Sequence, residues 1–131
     1  MKTKLFTNYI AGSFYDDFTK TNEIKLRSNG GNIVIPVEQI TYLEANVNYT
    51  IVHTLGNKIY LSSRTIKHFE DLLDKNNFVR VHKSHIINLS FIQNFEIGRH
   101  NGEIKLECGK QVEISRRKLK QISERMTSVF R

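Results

Sequence analysis

From Glu23 onward the chain is broken at short intervals by residues that turn the backbone: Asn29-Gly30-Gly31, Pro36, Asn46-Val47, Gly56-Asn57, Asn76-Asn77, the stretch 98–102 and Gly109. Between these breaks the apolar runs are strand-sized. None approaches the ~20 residues that would span a bilayer, and no signal-peptide core opens the chain. Residues 23–28 alternate, with Ile24 and Leu26 on one face, and Asn29-Gly30-Gly31 is a hairpin signal because these residues accept positive φ cheaply. Residues 32–35 then form the return strand, Pro36 stops regular pairing, and 37–40 make a short helical turn. Strands are expected at 41–45 and 48–54, joined through Asn46-Val47, and at 58–61, 78–82, 86–89, 91–97, 103–108 and 111–114. In 103–108, Ile104, Leu106 and Cys108 alternate with charged residues, so Cys108 is expected to face the core as a small apolar residue. Only two segments carry a helical period. Residues 65–75 place Ile66, Phe69, Leu72 and Leu73 on one stripe, with Ser62, Ser63 and Thr65 as possible caps; a last helix over about 115–128 has Leu119, Ile122, Met126 and Val129 at the same helical spacing. The expected fold is mainly β with two helices.

A length of 131 residues suits one domain plus an extension and can enclose a core without disulfides or metal. The extension is 1–22 and the domain 23–131. Residues 1–21 hold Phe6, Tyr9, Phe14, Tyr15 and Phe18, five of the 13 aromatics, and are expected to dock on the domain or on a second copy. A single Cys rules out an internal disulfide and fits a reducing, cytoplasmic setting. The formal charge of +7 is unevenly placed: residues 78–131 carry eleven basic and five acidic side chains, residues 1–77 nine and eight. The densest cluster is Arg116, Arg117, Lys118 and Lys120. Such clustering fits a phosphate-facing surface, and equally a solvated face of an ordinary basic protein.

That cluster breaks a local preference. Helix starts favour Asp and Glu, because the macrodipole and free N–H groups are positive there. A helix from Ser115 carries three cations in its first turn, at ~0.3–1 kcal/mol per charge. An anionic partner reverses the sign, since phosphates are drawn to both the N–H groups and the side chains.

Three segments resemble the LytTR family of bacterial DNA-binding domains. They are Ile40-Thr41-Tyr42-Leu43-Glu44-Ala45 followed by Tyr49; Phe78-Val79-Arg80-Val81-His82-Lys83-Ser84-His85-Ile86-Ile87-Asn88-Leu89; and Ile114-Ser115-Arg116-Arg117 before the last helix. Glu70-Asp71-Leu72-Leu73 stands where the family has a helix between the first two. The resemblance covers the chain from about Glu23 to Met126. It implies an elongated fold of several small antiparallel sheets whose loops reach into successive major grooves. The family's contact regions map onto the loop around 46–49, onto His82 and Lys83, and onto Arg116. Lys83 and Arg116 suit base recognition, since both donate to guanine O6 and N7, and the Arg116 fork can bond both at once. Asn48 or Tyr49 would reach a base edge or a phosphate. His82, Arg117, Lys118 and Lys120 are expected at phosphates, although His82 could instead be a satisfied, half-buried histidine. Tyr49 stands where some members have His, and His85 where Tyr or Phe is usual. The 22 residues before the matching region are too few for the receiver domain of better-known members.

Other readings of the same residues are weaker. Ser84 and Asn88 sit at a bend between strands and are expected to satisfy backbone groups. His82 and His85 lack neighbours at ligand-like spacing, so no metal and no cofactor is expected. Ser84 beside His85 is no catalytic pair, because adjacent strand residues point to opposite faces, so no enzyme activity is expected. The sequence thus leads to a sequence-specific, double-stranded-DNA-binding transcriptional regulator, binding direct repeats as a homodimer and signalled by a separate sensor protein, with no membrane partner. The alternative is a protein-interaction module that uses the aromatic N-terminal segment.

Overall fold

The computed structural model describes residues 22–28 and 31–129. The extension 1–21 and the Asn29-Gly30 part of the first hairpin lie outside the described residues. Strands β1 (Glu23–Ser28) and β2 (Gly31–Pro36) pair antiparallel, Ile24 opposite Ile35 and Leu26 opposite Ile33. After the 3₁₀ turn Val37–Gln39 comes a five-stranded antiparallel sheet built from β3 (Ile40–Asn46), β4 (Tyr49–Thr54), β5 (Lys58–Ser62), β6 (Phe78–His82) and β7 (His85–Asn88), in the order β5-β4-β3-β7-β6. Helix α1 (Ile66–Leu72) links β5 to β6. A third sheet, order β10-β9-β8, holds β8 (Ile92–Ile97), β9 (Gly102–Leu106) and β10 (Gln111–Glu113), and helix α2 (Leu119–Val129) closes the described chain. The described residues are therefore mainly β, with several small antiparallel sheets and two α-helices.

Alternation along β3 and β7 assigns residues to two cores. Leu43, Val52 and Ile86 point to one face of the central sheet and pack with Ile24, Leu26 and Ile35 of the first hairpin and with Phe69 and Leu73. Tyr42, Val81 and Ile87 point to the other and pack with Ile104, Leu106, Val112, Ile114, Leu119, Ile122 and Met126. Asn88 is buried between them: its Nδ2 donates to the Ile40 carbonyl at 2.8 Å and its Oδ1 accepts from Ser90 N–H at 2.9 Å, the structural role expected for it. Gly102 faces the base of α2. A Cβ there would lie 2.8 Å from Leu119 Cδ2 and 3.0 Å from Ile114 Cδ1, so α2 approaches β9 closely because this position has no side chain.

Several expectations shift. Cys108 is exposed rather than core-facing. Strand β9 ends at Leu106, because Gly109, at φ 98°, returns its N–H to the Leu106 carbonyl, so Cys108 falls in a turn and leaves the alternation. Helix α1 stops at Leu72, and Leu73 stays buried from an extended conformation. The last helix does not start at Ser115. Residues Arg116–Lys118 form a 3₁₀ turn, and α2 begins at Leu119. Val129, placed on the apolar stripe by its spacing, is half exposed. The β3–β4 turn is Val47-Asn48, one residue later than the sequence indicates.

Candidate nucleic-acid interface

Strand register gathers the expected contact residues at one end of the central sheet. Glu44 pairs with His85, and Ala45 N–H bonds the Ser84 carbonyl at 2.8 Å, so the β3–β4 and β6–β7 turns are neighbours. Thr50 pairs with Ser62, which brings the end of β5 to the same edge. Ser115 N–H bonds the Val81 carbonyl at 2.7 Å and draws the basic 3₁₀ turn against β6. With neighbouring strands ~4.8 Å apart, the row from β5 to β6 spans about 19 Å before that basic turn is added.

The β6–β7 turn presents Lys83, which is exposed. Arg80, missed in the sequence as a functional residue, holds this turn. Its Nη2 donates to the Lys83 carbonyl at 2.6 Å, its Nε to the His82 carbonyl at 3.3 Å and its Nη1 to Glu70 Oε1 at 2.8 Å. Burial pushes the Glu70 carboxyl up, but the hydrogen bond from Arg80 and the charges of Arg80, Lys118 and Lys67 outweigh it and hold the group below its ordinary 4.5. His82 is half-buried and also helps to hold the turn. Its Nδ1 accepts from Ser84 N–H at 3.1 Å, so the proton sits on Nε2, which remains available as a donor. An open cleft of about 620 Å³ joins this turn to the basic one; Lys83, His82, Arg116 and Arg117 line it, with Glu113 on its wall.

Arg116, Arg117 and Lys120 are exposed, and among the described residues no carboxylate forms an ion pair with them or with Lys83. Lys118 differs: it is half-buried and its Nζ donates to the Arg80 carbonyl at 2.9 Å, so it ties the basic turn to β6. Asn48 and Tyr49 lie at the β3–β4 turn, exposed, beside Val47. The sequence reading also missed Arg64. Its carbonyl accepts from Thr50 Oγ1 at 2.8 Å and its N–H donates to Ser62 Oγ at 3.1 Å, which pins an exposed arginine next to Tyr49. The Arg80 clamp reaches Glu70 on helix α1 and the pinning of Arg64 needs Thr50 on β4, so no short sequence pattern signals either.

Beneath the two turns lies a carboxylate shared by two histidines. Glu44 Oε1 is 3.0 Å from His53 Nε2, and Oε2 is 3.8 Å from His85 Nε2, which is buried and has no hydrogen-bond partner. His53 stacks on Tyr42 at 3.9 Å. Burial pushes the Tyr42 phenol up to about 12, with Glu44 and Cys108 adding, so it stays neutral. Burial also holds His85 below its ordinary 6.5; Glu44 opposes this, while Lys110, His82 and His53 add to it. Below about pH 6.5 the unfolded chain therefore binds a proton at this position more readily than the folded one. Stability is complete above that pH and falls as pH drops through the lowered folded value. His85→Phe should flatten the decline in urea midpoint between about pH 7 and 5; an unchanged slope would assign the decline to other groups. Among the described residues no three His, Cys, Asp or Glu side chains converge to hold a metal ion.

Comparison with known proteins finds both a family model and solved structures that match. The family model of the LytTr DNA-binding domain matches residues 30–127. The chain is also similar to a solved structure, the LytTr DNA-binding domain of a protein described as a methyl-accepting/DNA response regulator from Bacillus cereus. The TM-score is 0.69 at 23% identity, over 82% of this chain and 97% of that one, a likeness that shows the shared fold. A search of the curated proteins finds no match.

Proposed function

Because this chain belongs to the LytTr DNA-binding domain family, whose domain binds DNA, typically in transcriptional regulation, we propose that it is a sequence-specific regulator reading major grooves with the loops at one end of its central sheet. The convergence of Lys83, His82, Arg116 and Arg117 around one cleft, beside the Asn48–Tyr49 turn, carries this reading. Arg116 and Lys83 contact bases, with Asn48 and Tyr49 at the neighbouring groove edge. His82, Arg117, Lys120 and Arg64 meet phosphates, and Lys118 holds the basic turn in place. The cations replace condensed counterions, which gives affinity without sequence preference; the few base contacts add the preference.

Two copies on adjacent direct repeats would supply the footprint that one small module lacks, in the cytoplasm and under a signal from a separate protein. No helix of the described residues is long and apolar enough to cross a membrane. A second reading, a protein-interaction module, is favoured by one observation: Ile59 and Leu61 are 61% and 58% exposed on the edge strand β5.

Selection of bound duplexes from a random pool tests the proposal. It should recover a motif bound far more tightly than bulk DNA, and failure to recover one would favour the interaction reading. On that motif Arg116→Ala should lose ~1–3 kcal/mol with relaxed choice at one position, while Lys120→Ala should weaken all sequences alike and reduce the salt slope by about 1. Equal losses on specific and random DNA for Arg116→Ala would remove its base-reading role.

A further inference from the structure

Val47 is the first residue of the two-residue β3–β4 turn, and its φ is 58°. A β-branched residue in the left-handed region is a genuine outlier, since its Cβ crowds the following carbonyl. The position normally goes to Gly or Asn. Asparagine stands on both sides, at 46 and 48, so the strain is not forced by a lack of suitable residues nearby. Packing does not explain Val47 either, because its side chain is 89% exposed and belongs to neither core. A strained residue that a simpler one could replace points to function. Its surroundings indicate which function. It stands at the tip of the turn bonded to the β6–β7 turn through Ala45 and Ser84, in line with Lys83 and the basic turn. A duplex docked on those cations receives the tip in its major groove, where the one apolar feature of a base edge is the thymine C5-methyl.

We propose that Val47 reads a thymine by contact between its isopropyl group and that methyl. This rests on the DNA-reading function proposed above and adds a specificity-determining residue to it. The left-handed conformation holds the side chain outward at the apex, where a flexible turn would let it fold back along the strand.

The test uses the full chain and the duplex motif recovered by selection, with each thymine replaced in turn by uracil, which removes only the methyl. For the wild type, one replacement should weaken binding about fourfold, the equivalent of one buried methyl group at ~0.8 kcal/mol. Val47→Asn should bind thymine and uracil duplexes equally at that position while its urea midpoint rises, because the strain is relieved. Selection without a motif would be a failure of the DNA-reading proposal itself. A motif whose affinity is unchanged by uracil at every position overturns the Val47 proposal alone. So does a Val47→Asn protein that keeps the wild-type thymine preference.

Discussion

Arg80→Ala should lower the unfolding free energy by about 3 kcal/mol and remove most of the duplex affinity. The expected effect runs through the turn that presents Lys83, which Arg80 holds. The guanidinium satisfies the carbonyls of His82 and Lys83 and the carboxylate of Glu70 at once. The Arg80 and Glu70 side chains are only 19% and 29% exposed, so truncation strands a largely buried carboxylate and the His82 carbonyl, while water can reach the Lys83 carbonyl. Breaking a fully buried pair costs ~3–5 kcal/mol, and the residual exposure puts this one at the lower end. Lys118 bonds the Arg80 main-chain carbonyl, which alanine keeps, so the basic turn should stay tethered. Denaturant melts would measure the stability loss. Anisotropy titration at a temperature where the variant is folded would measure the binding loss. A double-mutant cycle with Glu70→Ala separates the stranded carboxylate from the lost turn contacts: the double variant should recover part of the stability but little of the affinity. If Arg80→Ala binds DNA as the wild type does, the clamp does not set the turn's geometry.

Gly102→Val should cost a similar amount, about 3 kcal/mol, by a different route. Even the first added carbon would sit 2.8 Å from Leu119 Cδ2 and 3.0 Å from Ile114 Cδ1, and both residues are buried among core side chains with little room to turn aside. Overpacking of that kind forces off-rotamer side chains and shifts of the backbone that carries them. Ile114 and Leu119 bracket the basic 3₁₀ turn on both sides, so relief displaces Arg116 and Arg117. The variant should therefore lose motif preference in excess of what its reduced stability accounts for, measured at a temperature where it is fully folded. Gly98→Ala is the control, because a Cβ there meets only Asn101, at 3.4 Å or more, and stability should change by less than about 1 kcal/mol. Equal melting points for the two variants would mean that α2 does not depend on the close approach at Gly102.

What the sequence made legible is what local chemistry controls. Gly56-Asn57 turns the chain with φ values of 77° and 62°, as such a pair should, and the period of Leu119, Ile122 and Met126 announces a helix with one buried face. Alternation fails as a guide where a strand runs into a tight turn. Cys108 continues the pattern of Ile104 and Leu106, but it sits inside the turn that Gly109 N–H closes on the Leu106 carbonyl. The last helix starts later than its sequence suggests because a distant partner intervenes: Ser115 is tethered to Val81, 34 residues earlier. The candidate site was legible in its residue types and motif order. Its assembly was not, because the pairings of β3 with β7 and β4 with β5 that align the turns leave no trace in any short window.

That alignment has a consequence for the DNA. The turns are mounted on strands whose separation is fixed by main-chain hydrogen bonds, so the distance between one reading side chain and the next behaves as a ruler that does not stretch. One base pair inserted between two contacted positions shifts them by 3.4 Å along the duplex axis and rotates them by about 35°. A side chain can accommodate part of that offset at one contact, but not at two contacts held on the same rigid frame. On the reading proposed above, the operators of this protein would be free to vary in letters, within the tolerance of each contact, but not in length.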